Sequence, residues 1–388
     1  MRKAPLHVAI VGGGIGGLAA ANALHQRNVE VRVYEQAPAL TEVGAGLALQ
    51  PNGIRVLRHL GFAEDVTRRG GKWVDPQFRN ADGLYAASIW PAEIAEFYGM
   101  HRADLLDILA SRLPDDMVQT GHKCIGFEQN DTHAVIHFAN GARVQADVAV
   151  AADGIHSILQ QFVVPPSAPL PSGSMAYRGV VSAASVAWPS GAMRNWLGPG
   201  KHFLVYPVRA GELINYVGFV QTDEEMKESW SAPGDPRVLA AEFAGWDPRI
   251  EAIIAKVSKT FRWGLYDREP LATWTSGRLT LLGDAAHPML PHGGQGANQA
   301  IEDGVTLATV LSRADRASAP RALQVYEALR RERCARIQRN ARVNGARYET
   351  ADTSLDDRTR QLAAMARERA WIWKHDAKAE ALKAAASV

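Results

Sequence analysis

The chain has very little cysteine and almost no net charge, and each of these shortages excludes a class of protein. Cysteine occurs twice in 388 residues, as Cys124 and Cys334, far apart and without C-x-x-C spacing. Both thiols are therefore expected to be free, which fits a reducing cytoplasm. Lysine and arginine (43) nearly balance aspartate and glutamate (41), and the formal net charge is +2. This balance gives no electrostatic reason to expect a nucleic acid or a membrane surface as partner.

Internal repeats and low-complexity tracts are also missing, apart from an alanine-rich C-terminal end. The composition is 47% apolar and 22% charged, which is typical of a soluble globular protein. A length of 388 residues exceeds one typical domain, so we expect two closely packed domains. Without a convincing targeting segment we interpret the protein as cytoplasmic, and we predict no metal site.

The most informative stretch begins with a β-rich apolar run, His7–Val11, that leads into a cluster of glycines. Gly12, Gly14 and Gly17 fit the G-x-G-x-x-G pattern of a dinucleotide-binding turn. In such a turn Gly12 lets the strand turn sharply, Gly14 lets the backbone approach a pyrophosphate, and Gly17 lets the helix pack on the strand. The N-terminus of the helix then offers free N–H groups and a positive dipole end to the phosphates.

A helix former, Leu18–Leu24, and a second strand candidate, Val29–Tyr34, follow the glycines. Glu35 ends this unit, where a carboxylate can accept the two hydroxyls of an adenosine ribose. The apolar run from Ala4 to Leu24 also resembles a signal peptide or a membrane helix. However, five glycines in six residues disfavour a membrane helix, and a signal peptide does not explain the strand and acid that follow. The pattern favours a dinucleotide site without saying which dinucleotide binds.

Two later strands also end in signals for ligand binding. The run Val144–Ala151 predicts a strand that is followed at once by Asp153 and Gly154. A buried strand, Leu279–Leu282, precedes a second glycine–aspartate turn, Gly283–Pro288, and then a helix. Because ligands bind at the carboxyl ends of strands in open α/β sheets, both turns are candidate binding sites.

The middle and the end of the chain have different patterns. Consecutive strand candidates joined by Pro/Gly turns predict an antiparallel sheet and hence a second domain; they are Tyr177–Ala183, Met193–Leu197, His202–Val208 and Leu213–Phe219. An arginine-rich helix runs from about Ala319 to Asn344, and its basic faces are expected to be solvated rather than to bind phosphate. The C-terminal end predicts a further helix and a frayed tail.

These motifs, in this order and spacing, resemble the single-component FAD-dependent aromatic hydroxylases, the flavoprotein monooxygenases that include p-hydroxybenzoate hydroxylase. The segment Gly198–His202, together with Tyr206–Val208 and Gly283–Asp303, is most similar to the salicylate hydroxylase and 3-hydroxybenzoate 6-hydroxylase branch. The similarity covers about residues 6 to 345. It implies an α/β fold, in which a Rossmann-like, p-hydroxybenzoate hydroxylase-like FAD-binding domain carries an antiparallel-sheet substrate domain and C-terminal helices.

The resemblance also implies a division of the chain into domains. The discontinuous FAD-binding domain would comprise residues 1–70, 101–170 and 270–345, and the substrate domain residues 71–100 and 171–269. Residues 346–388 would form a C-terminal helical segment, whose helix no motif covers.

The cofactor implied by the resemblance is FAD, with NADH or NADPH as a transient co-substrate. Asp284 would bind the ribityl chain, Arg102 would lie near the pyrophosphate, and backbone N–H groups at Gly296–Asn298 would stabilise the negative charge of reduced flavin. The FAD-contacting residues implied in this way are Gly12, Gly14, Ile15, Gly16, Gly17, Glu35, Gln36, Gly46, Arg102, Asp153, Gly154, Asp284, Pro291, Gly294, Gly296, Ala297 and Asn298. The family usually has an arginine where this chain has Gln160, which leaves the choice between NADH and NADPH open.

The chemistry implied by the resemblance is ring hydroxylation. NAD(P)H reduces FAD, O₂ adds to give a flavin C4a-hydroperoxide, and its distal OH is delivered to an electron-rich ring. The substrate would be a small hydroxylated aromatic acid or N-heteroaromatic, similar to salicylate, and attack at a carboxylate-bearing carbon would release CO₂. Because a phenolate reacts faster than a phenol, a base near the ring hydroxyl is expected, and His202 is the candidate. The predicted catalytic residues are His202 and Tyr206, and the predicted substrate-binding residues are Arg178, His202, Tyr216 and His292.

Several alternatives remain open at this point. His202 could merely pack at a strand end, and Arg178 could form a salt bridge at a domain interface. The protein could be another flavin oxidoreductase on the same fold, such as an epoxidase or an oxidase, or a flavin-binding protein without turnover. The sequence does not distinguish a monomer from a homodimer.

Overall fold

The structure is a computed structural model that describes residues 6–40, 45–88, 96–223, 232–350 and 354–387. Its strands, in chain order, are β1 (His7–Val11), β2 (Glu30–Tyr34), β3 (Gly46–Leu49), β4 (Gly71–Lys72), β5 (Asp75–Asn80), β6 (Tyr85–Ala87), β7 (Tyr98–His101), β8 (Val118–Gln119), β9 (Cys124–Gln129), β10 (Ala134–Phe138), β11 (Arg143–Ala146), β12 (Val148–Ala151), β13 (Leu170–Ser182), β14 (Ala192–Gly198), β15 (Lys201–Val208), β16 (Leu213–Gln221), β17 (Ala232–Gly234), β18 (Thr260–Asp267), β19 (Thr275–Ser276) and β20 (Leu279–Leu281). Its α-helices are α1 (Ile15–His25), α2 (Pro51–His59), α3 (Ala63–Arg69), α4 (Arg102–Ala110), α5 (Pro236–Glu242), α6 (Pro248–Ile254), α7 (Gly296–Leu311), α8 (Ala319–Tyr348), α9 (Leu355–Lys374) and α10 (Ala377–Ala384).

The apolar run at the start of the chain forms a central strand of a largely parallel sheet, with the order β19-β20-β12-β1-β2-β8. β1 pairs in parallel with both β2 and β12, and β12 pairs in parallel with β20. β12 and β20 are buried throughout and β1 nearly so, as expected for strands covered on both faces. The turns that follow β1, β12 and β20 therefore lie at the same edge of the sheet, where a dinucleotide site is expected.

The prediction of one strand over Val144–Ala151 was wrong, because the chain changes sheets at Asp147. β11 joins β10 and β9 in a separate antiparallel sheet, whereas β12 enters the parallel sheet beside β1. At the change, Asp147 is buried and its Oδ2 accepts a hydrogen bond from the backbone N–H of His7 (2.9 Å). A continuous apolar pattern predicts extended chain, but it carries no information about the partner strand.

The second sheet is large and mostly antiparallel, as the strand candidates predicted, with the order β17-β18-β13-β16-β15-β14-β5-β6. Its two faces follow from the alternation of side chains along each strand. Phe203 and Val205 point to the outer face, where they pack with Leu239 of α5 and Ile250 of α6. His202 and the other residues of the opposite parity point to what we call the inner face.

The C-terminal helices are packed rather than frayed, which corrects the expectation of a loose tail. Ala377 and Ala381 of α10 are buried, and Ala377 belongs to the main apolar core. Trp373 of α9 is buried, and its indole N–H donates to Gln50 Oε1 (2.8 Å) at the start of α2. Among the described helices, none combines the length and the hydropathy that a bilayer span requires.

Candidate active site

The glycine loop after β1 has the shape that the sequence pattern predicts. Gly12 adopts a φ of +111°, and a Cβ there would lie 2.2 Å from the carbonyl oxygen of Ala152. A Cβ on Gly17 would lie 2.0 Å from the Gly12 oxygen, so α1 approaches β1 closely only because residue 17 has no side chain. Gly14 is the N-cap of α1, and a Cβ there would meet no described atom within 4 Å. The N-terminus of α1 therefore faces open space, and the first turn of the helix has no acidic side chain that would neutralise the positive end of its dipole.

Glu35 is fixed beside this loop at the end of β2. Its Oε2 accepts a hydrogen bond from the N–H of Gly13 (2.7 Å), and its Oε1 accepts one from the N–H of Ala37 (2.8 Å). Gln36 is exposed beside it. The carboxylate thus has the position expected of a ribose acceptor, with its orientation set by the backbone of the glycine loop itself.

Two further residues of the glycine loop lie on the packed side of α1. Ile15 is buried at the first helical position. A Cβ on Gly16 would lie 2.7 Å from Leu282 Cδ2, so Gly16 allows α1 to pack against the end of β20. The structure therefore gives both residues a packing role at the edge of the predicted cofactor site.

Asp284 follows β20 and lies at the same sheet edge. Its side chain reaches solvent on one side, and protein atoms surround it on the others. Desolvation by these atoms raises the pKa of the carboxyl, and the nearby His287 and Arg102 counteract part of that increase. A Cβ on Gly296 would lie 4.0 Å from Asp284 Oδ1, which places the carboxylate beside the N-terminus of α7. Arg102, the first residue of α4, is half-buried. Asp284, Arg102 and the start of α7 thus form a second polar group at the edge that carries the glycine loop.

The loop before α7, residues 291–295, is held by side-chain hydrogen bonds. Pro291 begins it with a tight turn, in which its carbonyl accepts from the N–H of Gly294 (2.9 Å). Asn298 Oδ1 accepts from the N–H of Gln50 (2.9 Å), and Asn298 Nδ2 donates to the carbonyls of Ala48 (2.9 Å) and Gly294 (2.8 Å). The Asn298 side chain thus links β3 to α7 and is fully used in this link. The groups that can face a ligand at the start of α7 are therefore backbone groups of residues 296–298, including those of the half-buried Ala297.

The turn after β12 has a structural task of its own. Asp153 Oδ2 accepts from the N–H of Ile158 (2.9 Å), and burial raises the pKa of this carboxyl. Gly154 has a positive φ of +80° and open space where a Cβ would be. Gln160, the position where the family usually has an arginine, is buried and donates to the carbonyl of Ala285 (2.8 Å). The turn is therefore tied to the Gly283–Asp284 turn by a neutral side chain.

On the inner face of the large sheet, a group of rings surrounds His202. His202 of β15 and Phe219 of β16 are cross-strand partners whose rings stack with centroids 4.0 Å apart. His292, from the loop before α7, lies 5.2 Å from both rings, and Tyr348 at the end of α8 lies 5.3 Å from His202. The structure therefore brings together two of the predicted residues, His202 and His292, and adds Phe219 and Tyr348 to them.

Both histidines of this group are neutral at physiological pH. Burial, reinforced by the neighbouring His292, lowers the pKa of His202 well below its ordinary value. Burial, reinforced by Arg369, lowers the pKa of His292 to about 4. A buried neutral imidazole can accept a proton from a ligand hydroxyl, which is the property required of a general base.

Tyr206 and Arg178 also lie on the inner face. Tyr206 is four residues after His202 on β15, packs on Trp73 (5.5 Å between ring centroids) and lies beside Asn215, its cross-strand partner. Arg178 of β13 is buried, with its guanidinium carbon 5.5 Å from the ring centroid of Trp263. A Cβ on Gly46 would clash with Asn215 and Tyr206, and the Gly46 N–H donates to Asn215 Oδ1 (2.7 Å). Gly46 thus brings β3 directly onto this part of the sheet.

Tyr216 lies on the opposite side of the sheet from the other predicted residues. Its ring is parallel to that of Phe203 in the core beneath α5 and α6, and burial raises the pKa of its hydroxyl to about 12. The reason is parity: Phe219 faces His202, and Tyr216 is an odd number of residues from Phe219. Tyr216 therefore faces away from the group of rings around His202.

A buried network of charged residues, which sequence reasoning missed, supports the start of α7. Arg330 of α8 pairs with Glu302 (2.6 Å) and Asp303 (2.7 Å) of α7, and all three side chains are at most 1% exposed. Asp303 Oδ2 also accepts from His287 Nε2 (2.6 Å, with the ring nitrogen protonated) and from the N–H of Gly283 (3.1 Å). The network therefore fixes the backbone of the Gly283–Asp284 turn.

The expectation that the arginines of α8 are solvated is wrong for Arg330 and for Arg333, which pairs with Glu302 at 2.9 Å. The acidic pair Glu302–Asp303 inside an apolar helix was the available signal, because two adjacent carboxylates are rarely buried without cations. Tyr348 and Arg369, which lie near His202 and His292, follow the last motif in the chain, and no sequence pattern marked them as site residues.

Comparisons with known proteins agree with this arrangement. Residues 5–341 match the FAD binding domain family. The chain is 37% identical to 3-amino-4-hydroxybenzoate 2-monooxygenase of Streptomyces cremeus, covering 92% of each chain, and 33% identical to 6-hydroxynicotinate 3-monooxygenase of Pseudomonas fluorescens, covering 89% of this chain and 92% of that one. A solved salicylate hydroxylase substrate complex is 30% identical, with a TM-score of 0.85 and 98% coverage of both chains.

The chain belongs to the FAD-dependent aromatic hydroxylases. The family, the p-hydroxybenzoate hydroxylase-like fold and the monooxygenase class predicted from the motifs are thereby confirmed, and NAD(P)H is the reductant typical of this family. The nearly complete coverage in both directions extends the similarity past the last motif into the C-terminal helices.

The residues at the sheet edge fit an extended FAD. The open space at Gly14 lies at the positive end of α1, where a pyrophosphate would be stabilised, and Glu35 beside it would accept the hydroxyls of the adenosine ribose. The exposed carboxylate of Asp284 would bind the polyol chain. The first turn of α7 carries no acidic side chain, so its N–H groups can stabilise negative charge on the reduced isoalloxazine.

Proposed function

We propose that this enzyme hydroxylates a small hydroxylated aromatic or N-heteroaromatic carboxylate, similar to salicylate, with NAD(P)H and O₂. The observation that carries the proposal is the buried neutral His202, stacked on Phe219 and beside His292 on the inner face of the sheet. Three relatives support the substrate class, because their names specify an aminohydroxybenzoate, a hydroxynicotinate and salicylate, each a ring that bears both a hydroxyl and a carboxylate.

FAD, when bound, supplies the transfer of one oxygen atom from O₂ to the ring after reduction by NAD(P)H. In our proposal His202 accepts the proton of the ring hydroxyl, which makes the ring more electron-rich and hence more reactive. The surrounding rings exclude water and stack against the substrate. Tyr206, whose hydroxyl pKa is raised by burial, stays protonated and can donate a hydrogen bond.

The substrate carboxylate needs a cationic partner, and we assign this role to Arg178. Its guanidinium is buried on the inner face beside Trp263, two strands away from β15. A buried arginine can pair with a carboxylate through two parallel N–H donors. His292 would bind the substrate from the opposite side, on the loop that leads into α7.

We also propose the FAD contacts inferred from the motifs and the division into an FAD-binding domain, a substrate domain and a C-terminal helical segment. α8 runs across the boundary between the first and the last of these. A cytoplasmic location, supported by two buried free cysteines, and a monomeric or homodimeric state complete the proposal.

One assay tests the reaction. The purified protein is examined for flavin absorbance, and NADH and NADPH oxidation is followed with a panel of hydroxybenzoates and hydroxypyridines, with product analysis for one added oxygen atom. We expect a yellow protein whose NAD(P)H oxidation is stimulated by at least one member. A yellow protein that no member stimulates would contradict the proposed substrate class and favour an oxidase, an epoxidase or a non-catalytic flavoprotein.

The role of His202 is tested by His202→Asn, which keeps a polar side chain but removes the base. We expect FAD retention to be unchanged and the hydroxylation rate to fall by about 10²- to 10⁴-fold, since general base catalysis contributes about this factor. His137→Asn is the control, because His137 is a partly exposed histidine in a separate sheet. A His202→Asn enzyme with wild-type hydroxylation would remove His202 from the mechanism.

A further inference from the structure

We propose that Glu349 is the positioning residue of His202: its carboxylate accepts the Nδ1–H of the neutral imidazole and leaves Nε2 to receive the proton of the substrate hydroxyl. This inference rests on the proposed function, in which His202 is the base. Glu349 follows the last residue of α8 and belongs to no motif of the sequence.

The geometry places Glu349 beside the correct ring nitrogen. Glu349 Oε1 lies 3.9 Å from His202 Nδ1, and the two side chains are 9% and 2% exposed. Nδ1 is buried and has no hydrogen-bond partner within the described ranges of the chain. An unpaired buried donor is unfavourable, so a shift of the carboxylate by less than 1 Å into hydrogen-bonding distance is favoured. Catalytic hydrogen bonds commonly shorten in this way when the substrate binds.

The sheet itself holds Glu349 in place from several strands. Ser174 Oγ on β13 lies 3.3 Å from both carboxylate oxygens, and Gln221 Nε2 at the end of β16 lies 3.3 Å from Oε2. The Glu349 carbonyl accepts from the N–H of Gly200 (3.0 Å), in the turn that leads into β15. A helix-terminal glutamate in solvent has no such anchors. These contacts fix the carboxylate relative to the strand that carries His202.

The other titratable or charged groups around His202 come from three elements. His292 lies in the loop before α7, Tyr348 ends α8, and Arg369 of α9 donates to the Tyr348 hydroxyl (3.1 Å) and to the His292 carbonyl (3.0 Å). Among these groups and Glu349, only Glu349 carries a carboxyl group. Burial raises the pKa of the Glu349 carboxyl, and hydrogen bonds from Gln221 and Ser174 counteract part of this increase, so it gains a proton at a higher pH than an exposed glutamate does.

The proton balance of the step is simple. The O–H bond of the substrate hydroxyl breaks, its proton binds Nε2, and a phenolate and an imidazolium result. The Glu349 carboxylate stabilises that imidazolium through Nδ1–H, as the buried aspartate does for the histidine of a Ser-His-Asp triad. Without the carboxylate the imidazole is free to adopt the other tautomer, in which Nε2 already carries a proton and cannot accept one.

The first test measures the tautomer directly in the FAD-loaded enzyme without substrate. ¹⁵N NMR of histidine-labelled protein, with the His202 signals assigned from His202→Asn, is compared for wild type, Glu349→Gln and Glu368→Gln. Glu368 is the control because it is half-exposed on α9 and paired with Arg347. We expect Nδ1–H in the wild type and in Glu368→Gln, and a mixture or Nε2–H in Glu349→Gln. An unchanged tautomer in Glu349→Gln would overturn the inference.

The second test follows kcat/KM against pH with the aromatic substrate that stimulates the wild type most. We expect kcat of Glu349→Gln to be about 10- to 100-fold lower than that of the wild type. We also expect its pH profile to lack the decline at acidic pH that protonation of Glu349 causes, and Glu349→Asp to restore part of both properties. Ser174→Ala keeps the carboxylate but loosens it, and we expect a smaller loss in the same direction, which keeps the test valid if Glu349→Gln folds poorly. Wild-type kcat and pH profile in both variants would overturn the inference. A wild type without hydroxylation would instead contradict the proposed function, and the tautomer would still decide the role of Glu349.

Discussion

At the scale of single residues, the cofactor site depends on where a side chain is absent. Gly14 and Gly17 are three residues apart in one motif, yet their surroundings are opposite. A Cβ on Gly14 would point into open space, whereas one on Gly17 would lie 2.0 Å from the Gly12 carbonyl oxygen. The motif assigns Gly14 to a ligand and Gly17 to helix packing, and the space around each glycine agrees with that assignment.

This difference gives a matched pair of substitutions. Gly14 has an extended backbone (φ −74°, ψ −176°) that valine adopts readily, so we expect Gly14→Val to fill the space needed by the pyrophosphate and abolish FAD retention. The free energy of unfolding of its apoprotein should change by only about 0.5 kcal/mol. Gly17→Ala should destabilise the apoprotein by about 1–3 kcal/mol, as overpacking does. Flavin absorbance and urea unfolding measure both effects, and full FAD retention in Gly14→Val would contradict the assignment.

At the scale of elements, α7 connects the cofactor site to the C-terminal helices. Its first turn lies beside Asp284, and its next turn carries Glu302 and Asp303, which bind Arg330 of α8. Arg333 extends the network to α9 by donating to the carbonyl of Ile372 (3.0 Å). The helices themselves were predictable from apolar spacing. Their mutual register was not, because it is set by ion pairs between residues far apart in the chain.

Removing one partner of this network should be costly. We expect Arg330→Met to lower the free energy of unfolding by about 3–5 kcal/mol, because two buried carboxylates would lose their shared cation. Arg339→Met, on the same helix but paired with the exposed Glu332, should cost about 0–1 kcal/mol. Urea unfolding of the two apoproteins gives the comparison, and equal costs would mean that the buried network adds no stability.

At the scale of the whole molecule, the parallel sheet and the large antiparallel sheet meet through α7, α8 and the loop that carries His292. The buried network of Glu302, Asp303 and Arg330 joins α7 to α8 and makes stability depend on pH. Burial alone would raise the pKa of Glu302, but Arg330 and Arg333 reverse this and lower it from 4.5 to about 2. A carboxyl whose pKa is depressed on folding stabilises the protein above its unfolded pKa, and this contribution is lost as the pH falls through the folded value.

The window for this loss is therefore about pH 4.5 down to pH 2. We expect the free energy of unfolding of the wild type to fall in this range by about 3 kcal/mol more than that of Glu302→Gln, at about 1.4 kcal/mol per pKa unit. Glu332→Gln, which removes an exposed carboxylate (80% exposed), should follow the wild-type curve. Chemical denaturation at a series of pH values measures the difference, and parallel curves for wild type and Glu302→Gln would show that Glu302 is not the titrating group.

The sequence by itself determined what is local. Short-range patterns predicted the strand–glycine–helix unit with Glu35, the Gly283–Asp284 turn and the run of antiparallel strands. These patterns indicated a dinucleotide site and a second sheet, and the family resemblance that they carry implied FAD and the fold. Tertiary structure decided which side chains meet. Strand pairing put Tyr216 on the outer face and His202 on the inner face, and it divided the run at Asp147. The packing of the end of α8 on the large sheet brought Glu349 to within 3.9 Å of His202. The physical reason is that backbone geometry depends on neighbouring residues, whereas parity between strands and contacts between distant helices depend on packing that no local pattern encodes.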